Sequence, residues 1–124
     1  MAVTIAYSRE IDCVVVTYEG EATPEEIQTT IRDALAMAVE RQCRRFLVDA
    51  TELEHRGGTL LDTYELPQDF EHFPDIRKYK DAIILPRRQA EAQDLEFFET
   101  ISHNRGYNVR VFTDRQSAVD WLME

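Results

Sequence analysis

Two short apolar runs, Ile11 to Tyr18 and Arg45 to Ala50, flank a long segment that carries a single helical stripe. The stripe is Ile27, Ile31, Ala34, Leu35, Ala38 and Val39, the spacing of one buried helix face. Its start is written in Thr23-Pro24-Glu25-Glu26. Thr23 can cap, Pro24 sits where no N–H is needed, and Glu26 completes a capping box. This predicts a helix running to about Gln42. A strand, a helix and a strand make a crossover, which forces the two strands to be parallel. A chain built this way folds as an α/β sheet with helices packed on it.

The rest of the chain extends that unit in both directions. Val3 to Tyr7 reads as a strand, and the polar break Ser8-Arg9-Glu10 folds it back on Ile11–Tyr18 as an antiparallel hairpin. Glu19 to Ala22 reads as a loop, and so does Thr51 to Gly58. Thr59-Leu60-Leu61-Asp62 repeats the capping pattern and opens a short helix that Pro67 interrupts. Asp69 to Ile76 has room for one more helical turn. Lys80 to Leu85 is a fourth strand, stopped by Pro86. Arg87 to Arg105 is a long helix with Leu95, Phe98, Ile101 and Ser102 on its inner side, and Gly106 ends it. Asn108 to Thr113 is a fifth strand. Asp114 caps a last helix that buries Ala118, Trp121 and Leu122. The order ββαβαβαβα predicts a five-stranded mixed sheet: an N-terminal antiparallel hairpin, the other strands mostly parallel, and about four helices packed on it. One domain spanning 1–124 is expected.

Composition narrows the task mainly by exclusion. A net charge of -10 repels a phosphate backbone, so nucleic acid is not an expected partner. No apolar run approaches the ~18 residues of a membrane span. Met1 to Ile5 lacks the basic start of a signal peptide, so a soluble, cytoplasmic protein is expected. Cys13 and Cys43 form no C-x-x-C pair and read as buried thiols, with no disulfide expected in the cytosol. His55, His72 and His103 share no metal spacing. Ser8, Ser102 and Ser117 lack a nucleophile elbow, and Ser102 and His103, adjacent on a helix, point apart. Glu91, Asp94, Glu96 and Glu99 read as a solvated helix face. No catalytic residue, cofactor or metal is expected, and the chain reads as a non-enzyme.

Three stretches carry a family resemblance. They are Gly20 with Thr23-Pro24-Glu25-Glu26, the strand Phe46-Leu47-Val48-Asp49, and the ending Val111 to Leu122, VFTDRQSAVDWL. In this order they resemble the STAS domain of anti-sigma factor antagonists, in its SpoIIAA-like (STAS/SEC14-like) branch, over nearly the whole chain. The resemblance implies a non-enzymatic regulatory module that binds a protein partner or a second copy of itself. Such antagonists carry a phosphorylatable Ser or Thr in an Asp-Ser-x-Gly-like turn after the central strand. The matching place here is Gly57-Gly58-Thr59-Leu60, where the Asp-Ser pair is absent and Thr59 alone offers a hydroxyl.

The candidate site therefore starts where the central strand ends. Asp49 either faces a ligand crevice or bonds the backbone just beyond it. Thr51 opens the loop. Gly57 and Gly58 allow close backbone approach, and amides at a helix start favour an anion. Thr59 is the candidate phosphoacceptor, or else a plain N-cap. Arg87-Arg88 either assist an anion or are helix-entry surface. Tyr64, Phe70 and Phe73 line an apolar pocket or a dimer surface, or simply cover the core. SEC14-like kinship fits a lipophilic ligand. The expected task is protein–protein contact at the loop 51–59 and the following helix. The alternative is a carrier or sensor of a small apolar or lipid-like ligand, held between that loop and segment 64–74.

Overall fold

The computed structural model describes residues 2–55 and 75–124. Its elements are β1 (Ala2–Ser8), β2 (Cys13–Ala22), α1 (Pro24–Arg41), β3 (Arg45–His55), a 3-10 turn (Ile76–Lys78), β4 (Lys80–Ile84), α2 (Gln89–Asn104), β5 (Asn108–Phe112) and α3 (Arg115–Leu122). The sheet runs β1-β2-β3-β4-β5, with β1 antiparallel to β2 and every other neighbour parallel. This is the expected mixed sheet. The described residues hold three α-helices rather than about four. The helix expected to open at Thr59 falls within 56–74, outside the described residues.

Local chemistry sets the ends of α1. The Glu26 N–H donates to Thr23 Oγ1 and the Thr23 N–H donates to Glu26 Oε1, both at 3.2 Å, so the capping box forms. At the other end Gln42 takes φ +54°, and the Cys43 N–H donates to the Ala38 carbonyl at 2.8 Å. That is a left-handed stop made without glycine. Asp114 caps α3, accepting from the Ser117 N–H at 2.8 Å.

Two strands outrun their expected ends. Glu19 to Ala22 is strand, and so is Thr51 to His55, where loops were expected. The pairing passes from Thr17↔Asp49 to Glu19↔Glu52, so Ala50 and Thr51 together face Tyr18. This bulge shifts the inward phase of β3 from Phe46 and Ala50 to Leu53. A strand whose alternation changes phase looks, in one dimension, like a strand that has ended.

The sheet has two unequal faces. One carries Val14, Val16, Phe46, Ala50, Ile83 and Val109 and packs under α1 and α2, with Ile27, Ala34 and Phe98 facing down. The other carries Cys13, Leu47, Ala82 and Ile84 under Ala118 and Leu122 of α3. Among the described residues no helix is long and apolar enough to cross a membrane.

Candidate ligand cavity

Of the eight residues expected at the site, Asp49 and Thr51 are among the described residues. Gly57, Gly58, Thr59, Tyr64, Phe70 and Phe73 lie outside the described residues. Asp49 and Thr51 are brought together, by the bulge: Asp49 Oδ1 accepts the Thr51 N–H at 3.0 Å, and the Thr51 carbonyl accepts from the Arg87 N–H at 3.3 Å. Asp49 thus bonds the backbone just beyond it, the structural one of its two expected roles. Arg87 pairs with Glu52 at 3.2 Å and Arg88 with Glu91 at 3.5 Å, so these guanidinium charges face acids of the chain itself. Ligands of open α/β sheets commonly sit at a switch point, where the strand order reverses. In this sheet the order never reverses.

A concave feature among the described residues lies on the α1/α2 face. It is a cavity of about 110 Å³ between the sheet and the two helices. Its floor runs from Phe46 past Ala50 to Leu53 along β3, and Ile27, Ala34, Leu95 and Phe98 wall it from α1 and α2. Asp49, with its side chain on the opposite face by strand alternation, takes no part. The lining is apolar apart from a few groups. One is Tyr18, and beside it in the lining the Thr30 hydroxyl donates to the Glu26 carbonyl at 2.8 Å. Burial raises the Tyr18 phenol, so it stays protonated.

Asp81 is the anomaly. Register places it in one cross-strand row with Val14, Phe46 and Val109. It lines the cavity, and its Oδ1 is shielded from solvent with no hydrogen-bond partner. Desolvation pushes its carboxyl from the usual 3.8 up to about 7. Asp94 enters the same cavity from α2. Two more of the helix acids also turn inward. Glu91 is buried, and Glu99 Oε2 accepts the Val111 N–H of β5 at 2.7 Å. The solvated face expected for Glu91, Asp94, Glu96 and Glu99 is therefore borne out only at Glu96, which is exposed.

His103 Nε2 lies 2.7 Å from the Val109 carbonyl, so that nitrogen carries the proton. With Glu99 one turn away on α2, it covers open backbone groups of the edge strand β5. Cys13 and Cys43 are buried free thiols, and burial pushes the Cys13 thiol up to about 12, which keeps it unreactive.

Among the described residues the arrangement offers a partly open apolar volume and a carboxyl oxygen without a hydrogen-bond partner, and it holds no group of three or more potential metal ligands. No family model and no curated protein sequence matches the chain. Solved structures do. The crystal structure of an anti-sigma factor antagonist from Mycobacterium paratuberculosis superposes with a TM-score of 0.65 at 12% identity, covering 99% of this chain and 96% of that one. This chain has the SpoIIAA-like (STAS) fold. A second SpoIIAA-like structure, an uncharacterised DUF3478 protein from Shewanella loihica PV-4, superposes with a TM-score of 0.54 at 22% identity, covering 98% of this chain and 92% of the other. At these identities, what the SpoIIAA-like chains share is the backbone arrangement.

Asp81 was legible in principle. It is two residues from Ile83 and so shares its face. At the entry of the run Ala82-Ile83-Ile84-Leu85, it passes for the polar end of a strand.

Proposed function

We propose that the protein is a non-enzymatic regulatory module that acts by contact with another protein. The observation that carries this reading is the likeness of fold, end to end, to an anti-sigma factor antagonist. The proposed contact surface is segment 51–59 with the helix expected after it, and Thr59 is the proposed switch. A photo-crosslinking residue at Glu54, which is exposed near the end of β3, tests the surface in the producing cell. One specific crosslinked protein is expected from position 54 and none from exposed Gln93 on α2. Equal labelling from both positions, or none from position 54, overturns it. Phosphate incorporation that Thr59→Ala abolishes tests the switch; no incorporation into the wild type removes it.

The cavity favours a second reading, a carrier or sensor for a small apolar ligand. A dry cavity of roughly 150 Å³ suffices to bind benzene, so this volume suits a small hydrocarbon body. Native mass spectrometry of freshly purified protein should show a bound mass that organic solvent removes. A mass equal to the bare chain under gentle conditions counts against this reading.

A further inference from the structure

Nothing in the packing calls for an acid at position 81. Its row neighbours are Val14, Phe46 and Val109, and a valine would complete the row. An unpartnered carboxyl in an apolar space is costly to bury, and it recovers that cost only from a donor brought to it. The cavity indicates which kind of donor. Asp94 is a second acid in the lining, and no Lys, Arg or His lines it among the described residues. Aromatic rings gather at the Asp81 end: Phe46 is its cross-strand neighbour, Tyr79 stacks on Phe46 at 5.7 Å, and Tyr107, which carries the Arg77 guanidinium over its ring at 5.6 Å, lines the same space. The Asp81 carboxyl beside the stacked Phe46 and Tyr79 rings, with no basic side chain in the described lining, favours an ammonium ion and disfavours a carboxylate or phosphate. Away from Asp81 the floor is apolar as far as Leu53, roughly 20 Å along the strand. So small a volume over that length is a narrow channel.

We infer that the cavity takes a primary amine bearing a hydrocarbon chain, with its ammonium on Asp81 and its chain along β3 toward Leu53. This rests on the ligand-cavity reading above and adds to it the chemical class of the ligand. A neutral alcohol of the same length would fill the channel and lack only the charge, so comparing the two separates the claims.

The test is isothermal titration of the full chain with n-alkylamines, n-alkanols and n-alkanoates from butyl to octyl. It is run at about pH 8, where carboxylate and amine are both charged. Asp81→Asn and Asp81→Leu are titrated in parallel, with thermal unfolding to establish that each is folded. The wild type should bind the best amine at least about tenfold tighter than the matching alkanol, with the alkanoate weakest. Both variants should lose that preference while holding the alkanol within about twofold of wild type. Equal affinity for amine and alkanol in the wild type, or a preference that survives in both variants, overturns the amine assignment and leaves the cavity a binder of apolar chains. No binding by any member of the three series overturns the assignment and the ligand-cavity reading together.

Discussion

At the scale of one residue, Asp81 makes a prediction about stability that needs no ligand. In the unfolded chain its carboxyl titrates near 3.8, and in the fold at about 7. Below pH 4 it is neutral in both states and costs little. Between those values the unfolded chain gives up the proton and the folded chain keeps it, so stability falls as pH rises. Above pH 7 the loss is complete, at roughly 4 kcal/mol. Asp81→Asn should remove this slope. Urea unfolding across pH 4 to 8 checks it: the variant should gain on the wild type as pH rises, and parallel curves would show that the carboxyl finds a partner in solution. Asp49 is the contrasting case. It is as prominent in the sequence, at the end of a central strand, yet its carboxylate serves the bulge at Thr51. A carboxylate that accepts a backbone N–H and one whose shielded oxygen has no donor look alike in one dimension.

At the scale of the element, what was legible is what is local. The capping box of α1 and the Asp114 cap depend on residues three apart, and the structure has them as read. The α1 stripe is buried at Ile27, Ala34 and Ala38, while Val39, expected on the same face, is 58% exposed and Thr30 is buried instead. The ends of β2 and β3 depend on a bulge between two chain segments, and no local pattern reports it. The C-terminus of α1 offers a direct test. Gln42 holds φ +54°, a conformation that glycine adopts without strain, so Gln42→Gly should stabilise by about 0.5–1 kcal/mol. A lower thermal midpoint would show instead that the glutamine side chain holds the stop. The end of α3 is held from outside itself. Lys80 Nζ donates to the carbonyls of Trp121 at 3.1 Å and Glu124 at 3.3 Å, and Arg45 Nε donates to that of Leu122 at 2.9 Å. Arg45 and Lys80 are cross-strand neighbours, and the negative end of a helix lets two like charges stand side by side. Lys80→Met should cost about 1 kcal/mol. It should also shift the emission of Trp121, the only tryptophan and the ring beneath Lys80 Nζ at 5.1 Å. Unchanged emission and stability would mean that Arg45 alone holds the helix end.

At the scale of the molecule, strand order decides where a ligand can go. A sheet that advances from β2 to β5 without reversing has no switch point, and crossovers of one hand keep their helices on one face. Helices α1 and α2 lie on that face, while α3, which follows the last strand, is free to cover the other. Among the described residues, a sheltered volume of such a molecule lies between its helix layer and its sheet. This explains why the loop after the central strand stood out in the sequence and the cavity did not. A loop is contiguous, whereas the cavity draws on four strands and two helices. It also makes the cavity testable as a property of the whole architecture. Ala34 is 5% exposed, sits in the middle of α1 and lines the cavity. Ala34→Leu sends a branched side chain into that space. If the space is open, the added apolar burial should stabilise the fold by about 1 kcal/mol, and the leucine should compete with any alkyl ligand for the same volume. Thermal unfolding and alkanol titration of the one variant read both effects. A loss of more than about 1 kcal/mol would be the signature of overpacking, and would mean that the helix layer already closes on the sheet.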